Sequence, residues 1–339
     1  MYTRRHFNKA ALAAIPLANA WAGINPKVHG VNIGVAGYSY YMLPRQGQLD
    51  VMVHSMVDAG IGDCLLFGPA TEPVELADKA RPARGGGFGG ARGGSGGAGR
   101  AGAGGGRGAS GGRGGGRGPV SPEQAAALEE LHKWHLTVPL SYYTGIRKKF
   151  SDAGLQINAF DASFGTTTAD EDLNRACEVT KALGAHFMMC AVTRSVAKRL
   201  APISIRHGIK VGLQGRPNIN STDLDAMAKP ADFEEALGYS KNFGTSIDVG
   251  DATGGGWNAL KFIQDTHSRV FALNLKDRTK TNVSMPWGQG DSKIKEILQL
   301  VRDRKYPIRC YIDCDYATDD ASRVTAVKTC MEFAKSALT

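Results

Sequence analysis

Nine polar residues stand at or just past the ends of short apolar runs in this chain. Asp161 follows Leu155–Phe160, Gln214 and Arg216 follow Ile209–Leu213, and Asp248 and Asp251 lie at the end of Thr245–Val249. Asn274 and Lys276 end the run from Val270, and Asp313 and Asp315 follow Ile308–Ile312. If these run ends converge, Asp248 and Asp313 become carboxylates withdrawn from water. Such a pair implies a cation, a basic partner such as Lys276, or a raised pKa, because an unpartnered buried charge is expensive. In the last two runs polar and apolar residues alternate (Asn274, Leu275, Lys276; Ile312, Asp313, Cys314), the period that sends alternate side chains to one face of a strand.

The elements that must position these residues repeat along the chain. Apolar runs at 31–37, 64–67, 155–160, 186–192, 209–213, 245–249, 270–275 and 308–312 read as strands. Helical patterns follow them at about 49–59, 121–153, 170–183, 195–206, 233–241, 257–266, 293–304 and 322–336. Strand then helix, eight times, predicts a single-domain (β/α)8 TIM barrel over 23–339, with function at the C-terminal ends of its strands. No G-x-G-x-x-G follows the first strand, so no nucleotide cofactor is expected.

Residues 1–22 read as a twin-arginine export signal: Arg4-Arg5, Phe7 and Lys9 precede the mild apolar run Ala10–Ala18 and small residues at Ala20 and Ala22. The expected location is therefore the periplasm or the exterior, without a membrane span. Segment 81–118 holds 21 of the 44 glycines, seven arginines and no acid, and is expected to be a disordered loop inserted after the second strand. The formal net charge is +9, but that segment and the signal carry the whole basic excess. The barrel itself is near neutral, which argues against a nucleic-acid partner. Six cysteines show no C-x-x-C pair and read as core thiols.

Several stretches carry a resemblance: Thr193–Pro202, Gly208-Ile209-Lys210-Val211-Gly212, Ile247-Asp248-Val249-Gly250, Asn274-Leu275-Lys276-Asp277-Arg278, Gly288-Gln289-Gly290-Asp291 and Tyr306-Pro307-Ile308. They are similar to the sugar phosphate isomerase/epimerase family of xylose isomerase-like barrels. The resemblance implies one divalent metal held at the ends of strands five to eight, by Glu or His, Asp, His and Glu in turn. Gln214, Asp248, Asn274 and Asp313 hold the matching positions, and Asp251 stands where a D-x-x-H pair has its His. These four supply only oxygen ligands if the amides turn that way, a set suited to manganese, magnesium or calcium. The implied reaction moves a proton next to the carbonyl of a sugar or keto-sugar, with Asp313, Asp251 and Lys276 as catalytic groups. Tyr38, Tyr40 and Trp287 are expected to stack on a small carbohydrate that Asp161 and Arg216 also bind. The alternative is an exported sugar-binding barrel without catalysis, its metal site degenerate.

Overall fold

The computed structural model describes residues 23–81, 120–316 and 320–339; the expected signal at 1–22 and residues 82–119 of the Gly/Arg-rich segment lie outside the described residues. Eight parallel strands form the barrel: β1 (Val31–Ala36), β2 (Asp63–Phe67), β3 (Gln156–Ser163), β4 (Phe187–Ala191), β5 (Lys210–Gln214), β6 (Phe243–Asp248), β7 (Val270–Leu275) and β8 (Arg309–Ile312). Each pairs with the next, and β8 pairs back onto β1, which closes the sheet. The expected TIM barrel is the observed fold.

The outer ring comprises α1 (Gln48–Ala59), α2 (Val74–Ala80), α3 (Pro122–Thr137), α4 (Leu140–Asp152), α5 (Asp170–Ala182), α6 (Arg194–His207), α7 (Pro230–Leu237), α8 (Val249–Gly254), α9 (Ala259–Thr266), α10 (Ile294–Asp303) and α11 (Asp320–Leu338). Among the described residues no helix is long and apolar enough to cross a membrane. Two helices exceed the sequence reading. Val74–Ala80 is short and lies beside the Gly/Arg-rich segment, and Val249–Gly254 contains two glycines that mask its character; the Asp248 carboxylate caps it by accepting from the Asp251 N–H at 2.9 Å. Helix α7 starts three residues earlier than expected. Pro230 opens its first turn, where its fixed φ suits the helix, and Asp232 accepts from the N–H groups of Ala228 and Lys229.

Two apolar layers follow from strand alternation. One large cluster fills the space between strands and helices, and Ala36, Leu65, Ala159, Phe187, Met189, Ala272 and Tyr311 fill the barrel interior. At Gly34 a Cβ would come 2.8 Å from the Tyr311 ring, so only glycine lets that ring lie across the interior. The floor is polar: at the strand starts the buried Asp63 of β2 is paired with Arg309 of β8. That pair links β2 to β8 across β1, at the end of the barrel opposite Asp248 and Asp313.

Candidate functional site

Register brings the site together at the strand ends. Asp248 of β6 lies opposite Asn274 of β7, and Leu275 lies opposite Ile312, so Lys276 and Asp313 emerge side by side. The Asp313 N–H donates to the Leu275 carbonyl at 3.2 Å, which fixes that level. Lys276 Nζ stands 2.7 Å from Asp248 Oδ2 and 3.3 Å from Asp313 Oδ2. Asn274 Nδ2 reaches Asp313 Oδ2 at 3.5 Å, the outer limit of a hydrogen bond. All four are nearly inaccessible, with Asp248 and Asp313 each 2% exposed and Lys276 8%.

Burial governs the ionisation here. It pushes Asp248 up to about 6, reinforced by Asp251 and opposed by Lys276. It pushes Asp313 up to about 7 against the pull of Lys276, with Asp248 adding to the rise. Asp161, at the end of β3, is pushed by burial to about 7, again opposed by Lys276. Burial alone would lower Lys276, but Asp248, Asp313, Asp251 and Asp315 outweigh it and hold the ammonium protonated well above its ordinary value. The cluster thus couples a permanent cation to three carboxyl groups that change charge close to neutrality.

A second cation supports the first. Arg278, buried two residues beyond Lys276, places Nη2 2.5 Å from Asp315 Oδ2 and Nη1 3.3 Å from Asp251 Oδ1, and donates to Asn282 Oδ1 at 2.6 Å. Its neighbour Asp277 accepts from the N–H groups of Gly288, Gly290 and Ser292 at 2.7, 3.0 and 3.2 Å. That carboxylate folds the 286–292 loop around the end of β7. On the other side of Lys276 the Tyr38 ring lies 5.2 Å from Nζ, stacked on Tyr41 at 4.3 Å.

The expected site residues divide clearly. Asp248, Asn274, Lys276 and Asp313 meet, with Tyr38 beside them, Asp161 within electrostatic reach, and Asp251 joined through Arg278. Tyr40 does not join them: it is fully buried, with its hydroxyl 2.9 Å from Ser55 Oγ. Trp287 is also a core residue, donating its indole N–H to the Leu275 carbonyl at 3.1 Å and packing edge-on against Phe333. Neither ring is placed to stack on a ligand, a correction to the sequence reading. Arg216 is exposed in the loop after β5. Gln214 is half-buried, and among the described residues no hydrogen bond joins it to the cluster. A cavity of about 310 Å3 is lined by Trp257, Asn258, Lys280 and Asp291, and Lys276 is not part of its lining.

Two contributors escaped the sequence reading. Arg278 was recoverable, since it continues the alternation Asn274, Lys276 for one more step. Ser39 was not: its hydroxyl donates to the Ile312 carbonyl at 3.2 Å and accepts from the Cys314 N–H at 3.0 Å, a pairing across the barrel seam with no local pattern.

The resemblance implies a divalent ion among these residues. An ion shared by Asp248 and Asp313 would stand where the Lys276 ammonium already does. At about 4 Å and an effective dielectric of 20, two unit charges interact by about 4 kcal/mol, so a divalent ion there meets roughly 8 kcal/mol of repulsion. Hard cations take six or more oxygens, whereas among the described residues the buried atoms here without a hydrogen-bond partner are Asn274 Oδ1, Asp313 Oδ1, the Ser246 hydroxyl and Asp248 Oδ2, the last already ion-paired with Lys276. No cluster of three or more His, Cys, Asp or Glu suited to a metal occurs among the described residues. The residues present do not fit the ion.

No protein-family model and no curated protein matches the chain. Solved structures do. A probable 3-DHS dehydratase, AsbF, involved in petrobactin synthesis in Bacillus anthracis, superposes with a TM-score of 0.55 at 10% identity, covering 88% of this chain and 98% of that one. The D-allulose 3-epimerase of Methylomonas sp., solved with D-allulose, gives 0.54 at 12% identity over 90% and 96%. An L-ribulose 3-epimerase gives 0.54 at 11% over 90% and 95%. The chain has the barrel fold of these proteins. That likeness bears out, in fold, the resemblance seen in the motifs.

Proposed function

We propose that the chain is a carbohydrate isomerase- or epimerase-like enzyme that moves a proton at the carbon next to the carbonyl of a sugar or keto-sugar. One observation carries the reading: a buried ammonium touches two carboxylates that ionise near neutrality, at the strand ends where barrel enzymes hold their substrates. The fold neighbours solved as sugar 3-epimerases support the same chemistry.

Asp313 is the proton acceptor. A carboxyl pushed to about 7 is half ionised at neutral pH and, once it holds the proton, can return it. Asp251 is less suited, because Arg278 holds its carboxylate. Loss of the carbon-bound proton leaves an enediolate whose negative oxygen forms beside Lys276. The unpartnered Asn274 Oδ1 and Asp313 Oδ1 offer acceptors for sugar hydroxyl groups, and Asp161 is a further proton-exchanging group on the β3 side. Tyr38, held neutral by burial, offers its ring at the same level.

A second reading, a sugar-binding barrel without catalysis, draws support from the same ion pairs, since Lys276 engages both carboxylates at rest. Incubating the full chain with keto-sugars in deuterium oxide and following the proton next to the carbonyl by NMR separates the two. Washout that disappears in Asp313→Asn supports the enzyme; saturable binding without washout supports the binder. Export by the twin-arginine signal at residues 1–22 is also part of this proposal, and cell fractionation of the wild type against Arg4→Lys/Arg5→Lys tests it.

A further inference from the structure

We infer that Lys276 takes the place of a divalent metal ion in this barrel, its ammonium supplying the positive charge that steadies the developing enediolate oxygen. The inference rests on the proton-transfer reading for its chemistry, but not for its geometry.

Three observations carry it. First, Nζ is central: it lies 2.7 Å from Asp248 and 3.3 Å from Asp313, the two carboxylates at the matching metal-ligand positions. These are separations for an ammonium and a carboxylate, whereas a metal ion would need its oxygens at about 2.0–2.6 Å. Second, room has been made for the lysine stem. A Cβ on Gly250 would lie 2.6 Å from Lys276 Cβ and 3.1 Å from Arg278 Cγ, so α8 can pass this close to the end of β7 only with glycine there. Third, the ammonium is held from several sides, by Asp248, by Asp313 and by the face of Tyr38 at 5.2 Å. An ammonium carries three N–H donors, and the two carboxylates occupy two directions, which leaves one for a substrate oxygen.

The chemistry balances within the chain. The carbon–hydrogen bond breaks toward Asp313, its electron pair becomes the new carbon–carbon double bond, and the carbonyl electrons move to the oxygen that Lys276 hydrogen-bonds. The proton on Asp313 exchanges with solvent and is returned either to the same carbon, which restores the first carbonyl, or to its neighbour, in which case the hydroxyl proton passes to the first oxygen and the second oxygen becomes the carbonyl. Lys276 stays an ammonium throughout and forms no covalent bond.

Manganese provides the probe, since its free and bound forms differ in their electron paramagnetic resonance. The full chain is stripped with chelator, then titrated with Mn2+ near neutral pH beside Lys276→Met, in which an uncharged stem of similar length leaves the carboxylates uncovered. The expected result is no stoichiometric Mn2+ on the wild type and an affinity at least about tenfold higher in the variant. Stoichiometric Mn2+ on the wild type that Asp248→Asn abolishes would overturn the inference. So would a folded Lys276→Met that binds no tighter than wild type. If that variant fails to fold, the wild-type titration with its Asp248→Asn control still decides. A third readout is proton exchange in the stripped wild type, which should persist in excess chelator; exchange that returns only on adding a divalent ion would refute the idea. Absence of exchange with every sugar, metal present or not, would count against the proposed function alone and leave the Mn2+ titration to judge this point.

Discussion

Ser39 clasps the backbone on both sides of Asp313, donating to the carbonyl of the residue before it and accepting from the N–H of the residue after it. Ser39→Ala leaves the buried Cys314 N–H without that partner, a loss of about 1–3 kcal/mol. If Asp313 is the proton acceptor, the slackened strand end should also lower kcat for proton exchange by about tenfold or more, since small misplacements of a reacting group are costly. Thermal unfolding and deuterium washout check the two effects separately.

Asp161 makes stability depend on pH. Its folded-state pKa is about 7 against an ordinary 3.8, so between those values the folded chain holds a proton that the unfolded chain has released. Stability from this group is full below about pH 4 and is lost as pH rises through about 7. Asp161→Asn removes the cost of ionising it. The variant should be more stable than wild type by about 1–3 kcal/mol near pH 8 and nearly equal to it near pH 4. Urea denaturation at the two pH values measures the difference, and equal gains at both would contradict the ionisation argument.

The proton-exchange rate should climb about tenfold per pH unit on the acid side and level off above about 7, following ionisation of Asp313. No falling limb is expected in the mildly alkaline range, because Lys276 keeps its proton well above its ordinary value. Asp313→Asn should lose about a hundredfold or more in kcat and flatten the acid limb. A pH–rate profile of both proteins provides the check.

Trp287 serves the fold rather than the ligand. Trp287→Phe keeps the ring packing against Phe333 but removes the donor to the Leu275 carbonyl, and should cost about 1–2 kcal/mol. KM for any accepted sugar should change less than about twofold, as the ring is buried and engaged in packing. A large rise in KM with unchanged melting temperature would instead restore the stacking role read from the sequence.

The barrel was legible because each strand and helix carries its own period, and eight repeats leave few alternative topologies. Asn274, Lys276 and Asp313 were legible for the same reason: in a strand, counting by two tells which side chains share a face. Tyr40 was misread where that count stops. Gly37–Tyr40 form a 3-10 turn, and the change of period turns Tyr40 into the core while Tyr38 faces Lys276. The place of Gln214 turns on register. Leu213 pairs with Thr245, so Gln214 comes abreast of Ser246 and stops about 7 Å short of the Asp248 level. No local pattern states how neighbouring strands slide. The two-carboxylate, one-ammonium cluster lay between these cases: its members were visible singly, but only the closed sheet shows that the lysine stands between the acids.

The floor pair of Asp63 and Arg309 joins residues 246 positions apart in the chain. Since β8 must arrive before β1 gains its second neighbour, the sheet stays open along one seam until nearly the whole chain has been made, and its last gap closes over a very long loop. Synthesis that stops before Arg309 would leave Asp63 facing the seam without its guanidinium. Closure of the barrel therefore needs its final strand, which supplies both Arg309 to the floor and Asp313 to Lys276.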